Sequence, residues 1–232
     1  MLRTATKRLF SSAAATPPAG FTYISPFLNR HEQVVLTKAA LNHLDGLGTH
    51  SARRKLKRAL SGGINHDELG FLPEDSCYQF EEGHFDGVIR KFREARITDS
   101  QWSSFGDSQL DNIIGRLRSL FPTDATLQFQ VLHLASEGEI LPHVDNVDAS
   151  GSVIMGVSLG SGRVLRLEDD HGRRWDQLLE PGSCYIQSGT VRYEYKHSIL
   201  KAGPLDATSH ASRQRLSVMI RDMPIDSRNS SS

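Results

Sequence analysis

Thr126-Leu-Gln-Phe-Gln-Val-Leu-His-Leu134 is the stretch on which the fold turns. Leu127, Phe129 and Val131 alternate with polar residues, the period-2 pattern of a strand with one buried face. Ser152–Leu159, Val164–Leu167, Ser183–Gln187, Val191–Tyr195 and Leu216–Ile220 continue the strand-like series. Turn sequences separate them: Gly160-Ser-Gly162, Asp169-Asp-His-Gly172, Pro181-Gly182 and Ser188-Gly189. Short strands at such spacing predict a sandwich or barrel over residues 126–222.

Upstream the period changes. His31–His43 carries Val34, Val35, Leu36, Ala39, Ala40 and Leu41 in a helical pattern, and Arg53-Arg-Lys-Leu-Lys-Arg58 falls on a second helix. Phe85–Ile97 and Leu110–Phe121 also read as helices, the latter stopped by Pro122, and Cys77-Tyr-Gln-Phe80 as a short strand. The expectation is a single α+β domain over residues 21–226, with a mainly β core and N-terminal supporting helices. Ser227-Arg-Asn-Ser-Ser-Ser232 reads as a disordered tail.

With 38% hydrophobic and 23% charged residues, the 232-residue chain has the composition of a soluble globular protein. Its 27 basic and 27 acidic residues give no overall bias toward a polyanion. Two cysteines, Cys77 and Cys184, are too few for a disulfide framework and suit a reducing compartment. No apolar run approaches the roughly 18–20 residues of a membrane span. The charge is nevertheless uneven, since no acid precedes Glu32 while Arg3, Lys7 and Arg8 accompany Leu2, Leu9, Phe10 and a Ser/Ala/Thr run. Such a start reads as a mitochondrial transit peptide, followed by the linker Pro17-Pro-Ala-Gly20.

His143-Val-Asp145 is the candidate metal motif. With 10 histidines in 232 residues, about 0.7 His-x-Asp matches arise by chance, and His84-Phe-Asp86 is a second one. Context separates them. Residues i and i+2 of a strand project together, whereas on a helix they point about 200° apart. His143 and Asp145 lie in the β region, while Asp86 reads as the start of the Phe85–Ile97 helix. The candidate third ligand is His197, 52 residues beyond Asp145; His171 falls at a polar hairpin tip, His210 in a polar loop and His133 on an earlier strand. Two histidines and a carboxylate leave open positions, a donor set suited to non-haem Fe(II). In Arg215-Leu-Ser-Val-Met-Ile-Arg221 the even separation puts both arginines on one face of a strand. Buried guanidinium groups need an anion, and their fork matches a carboxylate.

This ordered set, His-x-Asp, a distant His and Arg-x5-Arg, resembles the signature of the AlkB family of Fe(II)/2-oxoglutarate-dependent dioxygenases. The resemblance implies a double-stranded β-helix, or jelly roll. It also implies Fe(II) on His143, Asp145 and His197, with 2-oxoglutarate as co-substrate and O2 as oxidant. Arg215 would take the distal carboxylate, Tyr185 would add a phenolic hydrogen bond, and Arg221 would lie toward the metal; no catalytic side chain is expected beyond the ligands. Leu179-Glu-Pro-Gly-Ser-Cys-Tyr185 and Tyr193-Glu-Tyr-Lys-His197 look most like the family's mitochondrial subgroup, linked to programmed necrosis and fatty-acid metabolism. Leu132-His-Leu134 stands where nucleic-acid-repairing members carry Asn-x-Tyr, and no aromatic, basic lid for a flipped base is evident. The expected function is therefore a monomeric matrix dioxygenase acting on a protein or on itself. The alternatives are a mitochondrial RNA demethylase using residues 53–58 as a phosphate patch, or a low-turnover interaction module in cell-death signalling.

Overall fold

The computed structural model describes residues 16–61, 73–201 and 213–224. The strands are β1 (Phe21–Ile24), β2 (Glu81–Gly83), β3 (Ile89–Ile97), β4 (Leu127–His143), β5 (Val153–Gly160), β6 (Arg163–Asp169), β7 (Arg174–Leu179), β8 (Cys184–Ser188), β9 (Tyr195–Ile199) and β10 (Arg215–Asp222). The helices are α1 (Arg30–Leu47), α2 (His50–Ser61), α3 (Asp99–Ser104), α4 (Ser108–Arg118) and α5 (Gly189–Glu194). Local chemistry starts several of the helices. Asn29 with Glu32 and Thr98 with Gln101 form capping boxes on α1 and α3, and Asp107 caps α4.

The strands form one antiparallel, curled sheet in the order β1-β8-β5-β10-β4-β9-β6-β7, with β3 also pairing β4 and β2 pairing β3. β4 closes the curl: its first half pairs β10, whereas Ile140 and His143 near its end pair Ile199 and His197 of β9. The long strand breaks register with β3 over residues 135–138, and a Cβ on Gly138 would stand 2.7 Å from the Lys91 carbonyl oxygen and 3.0 Å from Ala135 N. This is the jelly-roll architecture expected, on a mainly β core.

Two apolar cores lie on opposite faces of the sheet. Leu216, Val218 and Ile220 of β10 pack outward with Phe129, Val131, Met155 and Val157 against Leu36, Ala40 and Leu44 of α1 and Ile113 and Leu117 of α4. Met219 packs inward with Leu132, Leu134, Ile154, Leu165, Leu167, Tyr185 and Ile199. β10 is central, paired with β5 and β4 on its two sides, so the arginines at its ends cannot be an exposed edge.

Several local expectations change. Phe85–Ile97 is not helical: its ordered part is a hairpin turn leading into β3. A register shift sets the single residue Lys91, at φ 49 between Arg90 and Phe92, opposite the four β4 residues 135–138. Ile89 and Phe92 therefore meet the same inner core at a spacing of three that imitates a helix. Asp86 accepts from Val88 N in the turn rather than starting a helix. Cys77–Phe80 is not a strand; a 3-10 turn covers Asp75–Cys77. Val191–Tyr195 is largely helical, in α5. Adjacent Val191 and Arg192 are both buried, which one helical turn permits and a strand, with its alternating faces, does not. Residues 1–15 of the expected transit segment, His210 and the tail 227–232 lie outside the described residues. No helix among the described residues is long and apolar enough to cross a membrane.

Candidate metal centre

The closing of β4 onto β9 makes His143 and His197 directly opposed cross-strand neighbours, with ring centroids 4.2 Å apart. Asp145 lies just past the end of β4, so it is not the in-strand i+2 partner that the spacing suggests. Two arginines hold it instead. Arg221 Nε donates to Asp145 Oδ2 at 3.1 Å, and Arg192 Nη1 donates to the Asp145 carbonyl at 3.0 Å. Asp145 Oδ1 then stands 3.3 Å from His143 Nε2 and 3.9 Å from His197 Nε2.

Ligand atoms of His143, Asp145 and His197 lie within 4.8 Å of one another, the one such group of His, Cys, Asp and Glu among the described residues. His143 Nδ1 is 2.9 Å from the Leu141 carbonyl. A proton on Nδ1 makes that hydrogen bond and leaves the Nε2 lone pair facing Asp145. Two imidazoles and a carboxylate, with no further His, Cys, Asp or Glu grouped with them among the described residues, match the donor set of a non-haem Fe(II) site.

The electrostatics favour the metal-ready forms of Asp145 and His197. Burial alone would raise the Asp145 carboxyl, but the His143 hydrogen bond and the Arg221 charge outweigh it and hold the group well below the usual carboxylate range. Burial, with the neighbouring His143, pushes His197 down to about 3, so its imidazole is neutral at physiological pH. Burial also opposes the charged form of His143, yet the bonds to Asp145 and Leu141 leave its pKa raised.

A second polar feature lies on the same inner face. Arg215 is 1% exposed; Nη1 donates to Ser217 Oγ at 3.0 Å, and Nε and Nη2 have no partner among the described residues. Burial lowers its pKa against the attraction of Tyr185. Two orphaned donors on one buried guanidinium are a cradle for a carboxylate. The Tyr185 ring reaches this face because β8 pairs β5 with Tyr185 opposite Gly156. A Cβ on Gly156 would lie 2.4 Å from Tyr185 Cε1. Arg221 is at the other end of β10, on Asp145 and on Gln130 Oε1 at 2.7 Å. Its described contacts are to the Asp145 carboxylate and the Gln130 amide rather than to Arg215.

The decoy motif separates cleanly. His84 Nδ1 and Asp86 Oδ1 contact each other at 2.8 Å on the β2–β3 hairpin and are not part of the group of His143, Asp145 and His197. His171 is at the exposed β6–β7 tip, and His133 is buried between Arg93 and Gln214. Arg192 and Gly156 escape the sequence reading. Gly156 carries the usual signal of close approach, a lone glycine among strand residues. Arg192 carries none, because its role depends on the loop that it fastens: Nε donates to Gly151 O and Nη2 to Ser150 O, both at 3.2 Å.

The 2OG-Fe(II) oxygenase superfamily model matches residues 89–221, more than half of the chain. The alpha-ketoglutarate-dependent dioxygenase alkB homolog 7, mitochondrial, of Bos taurus is 35% identical over 161 residues, covering 66% of this chain and 69% of the relative. Its Mus musculus counterpart is 36% identical over 151 residues, covering 63% and 66%. Among solved structures, OsALKBH1 matches with TM-score 0.51 at 15% identity, covering 89% of this chain and 100% of that one. A Trichoplax adhaerens prolyl hydroxylase, solved with a hypoxia inducible factor peptide fragment, matches with TM-score 0.52 at 15% identity over 92% and 87%. At such identities these two structures speak to the fold.

Proposed function

Because the chain belongs to the 2OG-Fe(II) oxygenase superfamily, we propose that it is a mitochondrial 2-oxoglutarate-dependent dioxygenase in which His143, Asp145 and His197 hold Fe(II). Enzymes of this family use Fe(II), 2-oxoglutarate and O2; when bound, the metal and co-substrate supply the oxidising chemistry. The protein's part is geometry and charge. Arg215 takes the distal carboxylate of 2-oxoglutarate, and Tyr185 hydrogen-bonds beside it. Arg221 braces Asp145, and the neutral His197 keeps its lone pair for the metal. The observation that carries this reading is the buried Arg215, with two unpaired donors on the inner face that also presents the ligands.

The mitochondrial names of the relatives support that location, and the acid-free N-terminus points to the matrix. The substrate reading is a protein side chain, on another protein or on the chain itself, with the enzyme acting as a monomer. A part in programmed necrosis and fatty-acid metabolism goes with this reading. A second reading, RNA demethylation, is favoured by α2, where Arg53, Arg54, Lys55, Lys57 and Arg58 are all exposed. None of the five forms an ion pair with an acidic residue among the described residues.

The test is anaerobic addition of Fe(II) and 2-oxoglutarate. A weak visible charge-transfer band should form and be lost in His143→Ala; a folded wild-type chain without the band overturns the reading. Comparing oxidised matrix proteins and mitochondrial RNA modifications with and without the enzyme then separates the two substrates.

A further inference from the structure

The arginine that braces Asp145 is itself braced. Arg221 Nη1 donates to Gln130 Oε1 at 2.7 Å, and Gln130 Nε2 donates to Glu94 Oε2 at 2.7 Å. The other Glu94 oxygen stands 3.6 Å from His84 Nε2 on the β2–β3 hairpin. Three neighbouring strands thus contribute one polar chain: β10 supplies Arg221, β4 supplies Gln130 and β3 supplies Glu94. The pairing explains why the three meet, since Gln130 lies opposite Met219 on one side and Arg96 on the other, each two residues from its polar partner.

The chain has a direction. A glutamine amide can present either end to a neighbour, and a carboxylate can only accept. Glu94 therefore draws Nε2 toward itself and leaves Oε1 for Arg221. Without Glu94 the amide is free to turn, and its NH2 group would then face a guanidinium that has no lone pair to offer. Phe92, on the same face of β3, belongs to the apolar inner core, as do Leu132 and Leu134 on β4. A carboxylate and an amide in such surroundings are costly unless each is engaged.

We propose that Glu94 and Gln130 are positioning residues of the metal centre: Glu94 orients the Gln130 amide, Gln130 anchors Arg221, and Arg221 holds Asp145 Oδ2 so that Oδ1 faces the two histidines. This rests on the metal-centre reading above. Outer partners of metal ligands commonly govern affinity by 10- to 100-fold, and the effect here reaches Asp145 through one intermediate from Gln130 and two from Glu94, so the low end is expected.

The experiment uses the full chain and measures Mn(II) affinity by the electron paramagnetic resonance signal of free Mn(II). The anaerobic Fe(II)/2-oxoglutarate band and the thermal midpoint are recorded for each variant. Glu94→Leu and Gln130→Leu should each weaken Mn(II) binding about tenfold. The double variant should be no weaker than Gln130→Leu alone, because both act on one chain. Glu94→Gln, which keeps an acceptor for Nε2, should stay within about threefold of wild type. Glu94→Asp keeps the charge but is too short to reach Gln130; it should follow Glu94→Leu and serves if the leucine variants do not fold. Wild-type affinity in folded Glu94→Asp and Gln130→Leu, or losses that multiply in the double variant, would overturn the proposal. A wild-type chain that takes up no Mn(II) would overturn the metal-centre reading, and this inference with it.

Discussion

The Tyr185 ring lies directly on Gly156, in the space that any larger residue at 156 would fill: a Cβ there would be 2.5 Å from Tyr185 Cζ and 2.6 Å from its hydroxyl oxygen. The two residues are register partners in the β5–β8 pair, so neither backbone can retreat without disturbing the central sheet. Gly156→Ala should therefore push the ring away from Arg215. The expected cost is about 1–3 kcal/mol from overpacking, together with weaker 2-oxoglutarate binding. Denaturant unfolding and co-substrate titration of the charge-transfer band measure the two effects. Unchanged affinity and stability would mean that the ring has room to move.

Arg215 offers a sharper separation of stability from binding. Nε and Nη2 of its buried guanidinium have no protein partner among the described residues, and a buried charge is costly to hold without one. Arg215→Met removes that cost while filling much of the same volume. The variant should be as stable as wild type or more so, by up to about 3 kcal/mol, while losing measurable 2-oxoglutarate affinity. Arg215→Lys keeps the charge without the fork and should weaken affinity roughly tenfold to a hundredfold. If Arg215→Met destabilises the ligand-free chain strongly, the guanidinium is structural rather than a co-substrate cradle.

What the sequence made legible follows from period. The alternation of β10 correctly put Leu216, Val218 and Ile220 on one face and the two arginines on the other, because an eight-residue strand without a bulge keeps its phase. β3 reads as a helix because the register shift at Lys91 breaks that phase and makes three-residue spacing look helical. α5 reads as a strand because burial of Arg192 answers to carbonyl groups more than 40 residues away. The ligand spacing brought His143 and Asp145 to attention for a reason that holds only in part. Asp145 is held by arginines beyond the strand end, and no local pattern encodes that.

His133 supplies a pH signature outside the metal centre. Arg93 Nε donates to its Nδ1 at 3.0 Å, so the proton sits on Nε2, 3.0 Å from Gln214 Oε1. Full burial, then the Arg93 charge, hold its pKa well below that of a free histidine. With the folded value depressed, the unfolded chain takes up a proton that the native chain refuses. The contribution is complete above about pH 6.5 and is lost as pH falls below it, at up to about 1.4 kcal/mol per pH unit. His197, at about 3, acts in the same direction in the metal-free protein, so the readout is a difference. Denaturant unfolding of metal-free protein between pH 7.5 and 5.5 should show a shallower slope in His133→Gln than in wild type. Equal slopes would show that His133 takes up its proton equally in both states.

Arg192 is the last residue whose removal should speak clearly. It is 2% exposed and donates to three carbonyls, those of Asp145, Ser150 and Gly151, so one side chain fastens both ends of the segment that carries the carboxylate ligand. Arg192→Met fills the space but leaves buried carbonyl groups without donors, at about 1–3 kcal/mol for each that water cannot reach. The loss should fall unevenly. Backbone amides of residues 146–151 should exchange hydrogen much faster than in wild type, while those of β5 and β10 keep their protection. Metal affinity should drop because Asp145 loses its backbone anchor even though Arg221 still meets its carboxylate. Uniform acceleration across the sheet would instead make Arg192 a support of the whole fold, with no particular hold on the ligand.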